Sequence, residues 1–547
     1  MGGGGQNSLN SPTTSNNDPL DDKLQKEQEW ENPTYKNYED YFEDLNITSQ
    51  TITEQDLTGS GSELNPYVIH STRGFLWLSN YTLSRIYLGN KHVELACDII
   101  LNDESFNNKE GTPSGGDGVV YNWKEVRDVF NGVYFNGNNH IINGVYYNKQ
   151  EEAKITVFGV LKEIKNLKAE NIYLSSNNAA TTLICNAYIV DNIHFLSGYI
   201  IATSSASGIV DFAYTEISNC TNRATVISTG TVAGGITTEG VNNLVLKNCI
   251  NYGDVEASWA VAGIVPYIGN HDQMNVSIHN CINYGNIRGE NHVGGMVGIA
   301  YNYGVVSYLR INDCKNYGTI VASSNNAAGM VGAVEAYAEI IGCKNYGKTE
   351  SLASWRNAGG IIGNALQQYL PYNGIISVID CENYSSSPFI GVIISTVDKK
   401  LDVIIKNCQS ITSGVESLFT NWLLRANFFM ENCYFKTEEK ENVYLMLEFG
   451  NTDEHITCIR SVVIETKGEQ AATKRMIKAT YYNKIDVQGF VIFSETGGAY
   501  YGTDFSGLCY DWKNGKFGVK ALNGKGFYQG KVTEDLLVQK GFEKKSA

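Results

Sequence analysis

The sequence predicts a right-handed parallel β-helix, an all-β solenoid with three strands in each coil and small capping elements at both ends. Three observations lead to this prediction: a repeat of about thirty residues, alternation of apolar and polar residues before a recurring cysteine, and a glycine-apolar motif about fifteen residues after that cysteine. A period near thirty is typical of solenoids, whereas hairpin meanders repeat in units of about eight to twelve residues.

The cysteine motif sets the period of the chain. Its successive positions from Cys220 to Cys433 lie 29, 32, 33, 29, 38, 27 and 25 residues apart. The best copies have a cysteine followed two residues later by Asn-Tyr-Gly, at residues 248–253, 280–285, 313–318 and 342–347, with weaker copies at Cys220, Cys381, Cys408 and Cys433. The alternating residues before the cysteine predict a half-buried strand, and Asn-Tyr-Gly predicts a turn.

The glycine-apolar motif supplies the third strand of each coil, after a short second strand and a variable loop. It recurs at residues 262–265, 294–298, 328–332 and 359–363. One coil buries three or four apolar side chains at roughly 1.5 to 3 kcal/mol each, too little to offset its backbone ordering. Neighbouring coils must supply the rest, so we predict ten to twelve stacked coils between about Asn131 and Asn483.

Stacking places equivalent side chains above one another. The recurring asparagines are therefore expected to form a hydrogen-bonded column, comprising Asn251, Asn283, Asn316, Asn345 and Asn383. Eight of the twelve cysteines occupy one repeat position, and no Cys-x-x-Cys pair exists. That pattern favours reduced, buried thiols over disulfides or metal ligands, so neither a metal nor a cofactor is expected.

The predicted organisation has four parts. Residues 1–58 are a disordered tether, 59–128 an N-terminal cap with the first strands, 129–440 the β-helix repeats, and 441–547 irregular last coils with a C-terminal cap. Residues 66–87, with Phe75, Leu76 and Leu78, predict a helix over the first coil. Thr533 followed by two acids, with Gly541 as a stop, predicts a helix at the other end.

Composition narrows the partners and the location. The formal charge of −16 and the absence of a basic cluster argue against nucleic acid as a partner, and no uninterrupted apolar run is long enough to span a bilayer.

The glycine-rich start resembles the spacer that follows a lipid-anchoring cysteine. If Met1 stands in place of that cysteine, the protein is a lipoprotein at the cell surface or outside the cell. The oligomeric state stays open.

Together, residues 281–285 and 294–298 resemble the GLUG-type repeats of bacterial surface and secreted proteins. The segments 65–69, 97–101, 130–142 and 158–167 look like the leading coils of that family. The resemblance covers roughly residues 60 to 440. It implies a β-helical stalk or adhesion module and brings no catalytic motif with it.

Variable loops are where a solenoid carries specificity, so the candidate ligand-binding residues are aromatic side chains at comparable loop positions. One set lies ten to twelve residues past each cysteine and the other follows the third strand; the candidates are Trp259, His292, Trp355, Tyr267, Tyr301, Tyr303 and Tyr369. Rows of rings suit the apolar faces of sugars. The leading interpretation is a non-catalytic surface protein that binds a glycan or a host or cell-surface protein.

Two alternatives stay open. The first is a polysaccharide lyase or glycoside hydrolase, for which Asp254, Glu256 and Glu290 beside Arg288 form the nearest group of carboxylates. The second is a phage tail-fibre or tailspike component, which would be a trimer. No catalytic residue is assigned by the sequence, so enzymatic activity is undecided, with absence favoured.

Overall fold

The computed structural model forms a parallel β-solenoid of about eleven turns, which confirms the predicted architecture and number of coils. The structure describes residues 33–123, 130–149, 154–177, 181–241, 243–269, 274–300, 308–335, 337–352, 357–367, 373–395, 401–413, 415, 417–437, 444–449, 457–466, 477–479, 484–488, 491–494, 508–511 and 516–519.

Each full coil contributes up to five strand segments, which stack into five columns. Column 1 precedes the cysteine and column 2 directly follows it. Column 3 comes after the Asn-Tyr-Gly turn, and columns 4 and 5 lie on either side of the glycine pair. The three predicted strands are therefore present, but the first is divided at the cysteine and the third at the glycine pair.

The strands of column 1 are Tyr67–Ile69, His92–Leu95, Tyr134–Asn136, Val245–Lys247, Asn275–His279, Tyr308–Asn312, Tyr337–Ile341, Gly374–Ile379, Leu401–Lys406 and Lys484–Gln488. Those of column 2 are Ile99–Ile100, Ile141–Asn143, Thr221–Asn222, Ile250–Asn251, Ile282–Asn283, Lys315–Asn316, Lys344–Asn345, Glu382–Asn383, Gln409–Thr412 and Val491–Ser494. Longer strands span several columns: Ile155–Glu170, Thr181–Phe195, Val210–Ser218, Asn427–Thr437 and Thr457–Thr466.

Column 3 is a separate sheet of eight strands, Tyr146–Lys149, Ile172–Ser176, Gly198–Ala202, Thr225–Ser228, Val255–Ala257, Ile287–Gly289, Ile320–Ala322 and Thr349–Ser351. Column 4 contains Ser205–Ser207, Val232–Gly234, Ala260–Ala262, His292–Gly294, Asn326–Ala328 and Ala358–Gly359. Column 5 contains Thr237–Gly240, Val265–Ile268, Val297–Ala300, Val331–Glu335, Ile362–Gln367, Ile390–Ser395, Ser417–Leu424, Tyr444–Phe449 and Ile477–Ala479.

Successive coils pair in parallel with equivalent repeat positions opposite each other. Ile278 lies opposite Ile311, and Asn283 lies opposite Asn316. Within the described ranges, antiparallel pairing between strands occurs only near the two ends, between Leu57–Thr58 and Tyr67–Ile69, and among Lys484–Gln488, Leu508–Asp511 and Lys516–Val519. The regular register is what makes columns of identical side chains.

The cysteine column lies in the interior of the solenoid. Its eight cysteines are buried and carry free thiols, which confirms the prediction of reduced, buried sulfur. Each thiol donates to a backbone carbonyl two residues earlier, as Cys281 does to His279 at 3.4 Å. Burial raises the pKa of the Cys281, Cys314 and Cys381 thiols well above their usual value, so these groups stay protonated.

The bend between columns 1 and 2 requires a left-handed backbone. The residue before the cysteine has φ between 52° and 56° in Asn219, Asn248, Asn280 and Asp313, and Gly342 takes the same place with φ of 65°. Asparagine, aspartate and glycine are the residues that adopt this conformation most readily. The conformation therefore explains why these three residue types alternate at one repeat position.

The predicted asparagine column is confirmed, and it is longer than predicted. The amide nitrogen of Asn251 donates to the amide oxygen of Asn283 at 2.9 Å, and Asn283 donates to Asn316 at 2.8 Å. The chain of bonds begins one coil earlier, at Asn222, and ends on the hydroxyl of Ser410. All the amides are fully buried, and each one from Asn222 to Asn316 also donates to a carbonyl two residues on.

The glycine pair between columns 4 and 5 packs against this asparagine column. A Cβ added at Gly295 would lie 2.1 Å from the carbonyl oxygen of Gly329 and 2.8 Å from the amide of Asn316. Equivalent contacts join Gly263 to Asn283 and Gly329 to Asn345. The two sequence motifs are therefore two halves of one packing arrangement between adjacent coils.

A helix covers the first coil as predicted, although it is shorter than the predicted segment. It spans Thr72–Ser79 and is followed by the short helix Tyr81–Ser84. Ser71 caps it by accepting from the Gly74 amide at 3.1 Å. Phe75, Leu76 and Leu78 are buried, with the ring of Phe75 5.3 Å from that of Phe130. The predicted C-terminal helix at Thr533 lies outside the described residues.

Residues 34–58, which belong to the predicted tether of residues 1–58, include folded elements. Strand Thr34–Lys36 pairs in parallel with strand Val119–Tyr121, and helix Asp40–Asp44 buries Tyr41. Tyr38 packs edge-on against Trp123 at 5.3 Å. The few aromatic residues of this polar segment pack against residues that are distant in the sequence. The composition of the segment alone therefore predicted a tether. No helix within the described residues has the length and apolarity to cross a bilayer.

We predict that replacing Asn283 with alanine destabilises the solenoid. The change leaves the buried amide oxygen of Asn316 and the carbonyl of Gly285 without a donor, which should lower the free energy of unfolding by about 2 to 4 kcal/mol. Urea denaturation followed by circular dichroism measures this. Asn275→Ala is the matched control, since its amide bond to Asn243 is exposed; equal loss in both variants would contradict the assigned role.

Thiol accessibility provides a second prediction. In the native protein, the cysteine column should not react with DTNB, because its thiols are buried. In guanidinium without reductant, all twelve cysteines should react. A count below twelve after unfolding would indicate disulfides and contradict the assignment of free thiols.

Candidate functional site

Three of the predicted ligand-binding residues come together on the outer surface of columns 4 and 5. The ring of Trp259 lies 5.4 Å from that of Tyr267, and 5.9 Å from that of His292 in an edge-on arrangement. Trp259 precedes a column 4 strand and Tyr267 belongs to a column 5 strand of the same coil. The sharp bend at Gly263 brings these two strands side by side, which explains the contact.

The aromatic cluster of Trp259, Tyr267 and His292 rests on small apolar side chains. Ala260, Ile299 and Ala333 lie outside the main core and form a separate buried cluster, against which Trp259 and Tyr267 pack. Each of the three aromatic residues retains partial exposure. The rings are therefore held firmly and still reach solvent, as a binding platform requires.

Burial sets the protonation of His292. It lowers the pKa of the ring to about 4, so the imidazole is neutral at physiological pH. The amide nitrogen of Asn326 lies 3.0 Å from Nδ1 and donates to it, which leaves the ring proton on Nε2. The amide oxygen of Asn326 is buried and has no hydrogen-bond partner. The cluster thus contains a neutral donor, Nε2–H of His292, and an acceptor without a partner among the described residues, the amide oxygen of Asn326.

A polar pocket of about 350 Å³ lies beside this cluster, at the turn from column 3 to column 4. Glu256, Arg288 and Glu290 line it together with hydroxyl side chains, among them Ser258, the residue before Trp259. Glu256 and Arg288 lie opposite each other on adjacent strands. The pocket offers charged groups of both signs and several hydroxyls, and its Ser258 is the chain neighbour of Trp259.

The carboxylates considered for catalysis do not all meet in this pocket. Asp254 accepts from the backbone and side-chain nitrogens of Asn286, at 2.9 and 3.0 Å, and so supports a turn between coils. Glu256 and Glu290 do line the pocket, with Arg288. Of the three predicted carboxylates, Asp254 therefore has a structural role, whereas Glu256 and Glu290 lie together at the surface.

Sequence reasoning missed Glu239, which lies opposite Tyr267 on the preceding coil. Burial, together with the charge of Asp211, raises the pKa of Glu239 to about 7. Asp211 itself is buried and held by Lys154 and by the hydroxyl of Thr238. Only the coil register brings Glu239 next to Tyr267, 28 residues further along the chain. No local sequence signal marks the residue.

A second feature, a stack of exposed tyrosines, was present in the sequence and was interpreted only as a turn signal. The rings of Tyr252, Tyr284, Tyr317, Tyr346 and Tyr384 stack nearly parallel, with centroids 4.9 to 5.0 Å apart. The guanidinium of Arg223 covers the outer face of Tyr252 at 4.1 Å. The stack presents ring edges and hydroxyls to solvent, because its faces are occupied.

A further polar pocket of about 430 Å³ lies near the first coils. His92 and Tyr134 stack on each other there at 4.6 Å, and Glu94, Glu163 and Lys165 complete the lining. Lys165 pairs with Glu163 at 2.7 Å. The aromatic faces in this pocket are engaged with each other, which makes it a weaker platform than the cluster around Trp259.

The remaining predicted site residues are Trp355, Tyr301, Tyr303 and Tyr369, and they lie outside the described residues. Their role stays a prediction. The structure thus brings together Trp259, Tyr267 and His292 and adds Asn326 and Glu239 to the neighbourhood.

No family model matches the chain, and no curated protein matches it. Among solved structures, the chain is similar to the crystal structure of a "putative immunoglobulin A1 protease" from Bacteroides ovatus, with 14% sequence identity and a TM-score of 0.23. That match covers 72% of this chain and 85% of the other. The similarity is too low for any functional argument, and the resemblance to GLUG-type repeats stays a prediction.

The pKa of Glu239 gives a testable pH dependence. A carboxyl with a raised folded-state pKa stabilises the fold below its unfolded value near 4.5, and that contribution is lost as the pH rises through about 7. At pH 8, Glu239→Gln should therefore be more stable than the wild type by about 1 to 2 kcal/mol, allowing for partial exposure, and this advantage should shrink at pH 5.

Urea denaturation at both pH values measures the effect on Glu239. Glu339→Gln provides the control, since Glu339 is an exposed carboxylate that pairs with Arg310. A pH-independent difference between wild type and Glu239→Gln would contradict the raised pKa.

Proposed function

We propose that this protein is a non-catalytic bacterial surface protein of the GLUG-repeat type that binds a neutral glycan at the Trp259 cluster. The observation that carries the proposal is the aromatic cluster of Trp259, Tyr267 and His292 beside the polar pocket of Glu256, Arg288 and Glu290. Sugars combine apolar C–H faces with hydroxyls, so they need rings and polar groups side by side.

Charge favours a neutral ligand over an acidic one. The pocket contains one cation, Arg288, between two carboxylates, and the whole chain carries a formal charge of −16. This field repels polyanions, while an arginine and glutamates lining one pocket suit the donor and acceptor hydroxyls of a neutral sugar. We therefore expect hexose-type glycans to bind better than uronic acids or sulfated sugars.

The repeat architecture supports a role at the cell surface. A solenoid gives a long, stiff support, and its turns between strands carry the ligand contacts while the interior columns remain fixed. The expected lipid anchor ahead of the glycine-rich start would place such a support outside the cell. Detection of the native protein on intact cells by surface proteolysis tests this location.

Glycan arrays, followed by calorimetry with the glycan that binds best, test the proposed function. Trp259→Ala should weaken binding by about tenfold or more, because the main stacking surface is lost. Tyr87→Ala is the matched control, since Tyr87 is a highly exposed aromatic residue far along the chain from the cluster. Binding that survives in Trp259→Ala, or an absence of binding to every glycan, would overturn the proposal.

A second candidate function is glycoside hydrolysis, which the raised pKa of Glu239 favours. A carboxyl with a raised pKa close to a second carboxyl is the pattern of a general acid and its partner, and Glu239 stands in this relation to Asp211, which pairs with Lys154. A reducing-end assay on bound glycans separates the two functions. Cleavage that disappears in Glu239→Gln would replace the non-catalytic proposal with an enzymatic one.

The alternative of a phage tailspike component predicts a trimer in solution, and sedimentation measures the oligomeric state.

A further inference from the structure

Three carboxylates converge at the N-terminal cap, away from the aromatic cluster. Oxygens of Asp103, Glu104 and Asp117 lie within 4.8 Å of one another. Asp103 and Asp117 are exposed, as acidic residues often are, and on their own they would indicate nothing more than a solvated surface. Glu104 differs from them, because its side chain is completely buried.

The two oxygens of Glu104 have different surroundings. Oε1 accepts from the backbone amides of Gly118 and Val119 at 3.0 and 3.1 Å. Oε2 is buried and has no hydrogen-bond partner among the described residues, and the carboxylate that carries it is one of the three that converge. A buried carboxylate oxygen without a donor is costly, because folding removes its water and replaces it with nothing.

No positive side chain compensates this charge in the described part of the chain, where none of the ion pairs includes Asp103, Glu104 or Asp117. Three carboxylates with oxygens within 4.8 Å of one another repel each other when ionised. A cation placed among the three groups would remove that repulsion and give Oε2 a partner.

The backbone of the loop at Gly116 lies close to the carboxylates of Asp103 and Glu104. At Gly116, an added Cβ would lie 2.6 Å from Oδ1 of Asp103 and 2.8 Å from Oε1 of Glu104, so a side chain there would displace these carboxylates. Gly116 also has φ of 63°, in the left-handed region. The loop therefore packs its main chain directly against the charged oxygens.

We propose that Asp103, Glu104 and Asp117 bind a calcium ion. The ligands are all hard carboxylate oxygens, which suit Ca²⁺ or Mg²⁺ and not Zn²⁺, whose sites use cysteine or histidine. Calcium accepts irregular geometry and a buried carboxylate, whereas magnesium keeps most of its water shell and demands an octahedral arrangement. The buried position of Glu104 therefore favours calcium.

Calcium at this position would stabilise the N-terminal cap. The loop that ends at Gly118 leads into strand Val119–Tyr121, which pairs with strand Thr34–Lys36, and the Gly118 carbonyl accepts from Thr34 at 2.8 Å. Asp103 and Glu104 follow strand Ile99–Ile100 of column 2. The ion would thus connect the cap strands to the first coils and would raise the stability of the folded state by mass action.

Calorimetry on the full chain, stripped with EDTA and dialysed, tests the site with CaCl2 and MgCl2 as the titrants. We expect one calcium ion to bind with a dissociation constant of about 10⁻⁴ M or tighter, weaker binding of magnesium, and a higher midpoint of thermal unfolding in calcium. Asp117→Asn and Glu104→Gln should each weaken calcium binding by about tenfold or more, since one ligand charge is lost.

Glu110→Gln is the matched control, because Glu110 is an exposed acid on the same loop that pairs with Lys109 at 3.7 Å; this variant should bind calcium as the wild type does. If Glu104→Gln fails to fold, the exposed Asp117 still tests the site. The proposal is overturned if calcium produces neither heat nor a thermal shift, if Asp117→Asn binds normally, or if magnesium binds as tightly. None of these outcomes affects glycan binding at Trp259.

Discussion

The hydrogen-bonded column of buried asparagines is the constraint on which the rest of the solenoid depends. Each amide from Asn222 to Asn345 donates to the next coil, so a coil shifted by one residue would break the chain on both sides. The adjacent glycines exist because the amides occupy the space where a Cβ would stand. A shift by one residue would also turn the apolar side chains of the strands outward. The asparagine hydrogen bonds and the burial of apolar side chains therefore favour the same register.

A fixed register determines the surface as well as the interior. The residue after each asparagine of the column from Asn251 to Asn383 is a tyrosine, so the tyrosine rings must stack at the strand spacing. Some charged residues on adjacent coils pair with the opposite sign, as Lys247 does with Glu216 and Arg310 with Glu339, whereas Lys315 lies opposite Lys344. Exposed pairs of this kind contribute little stability, but like charges in the same places would repel along the whole column.

The repeat made the fold predictable, and the same logic explains what sequence reasoning missed. Asparagine and cysteine recur at one spacing, so their columns followed from the period. The cap between Tyr38 and Trp123 has no repeat and depends on contacts between distant segments. Glu239 and Tyr267 become neighbours only once the coils are aligned, and Glu104 gains its significance from burial, which one acidic residue among several cannot reveal.

The amide chain also has a direction, since every donor points towards the following coil until Ser410 accepts the last bond. Each internal bond joins the amide nitrogen of one asparagine to the amide oxygen of the next. Every coil in this stretch therefore offers the same acceptor to the preceding coil and the same donor to the following coil. Duplication or deletion of one whole coil within this stretch would therefore rejoin matching ends and leave no unsatisfied amide. Length can change by complete repeats during evolution without any new compensating mutation in the interior, whereas partial insertions are confined to the turns.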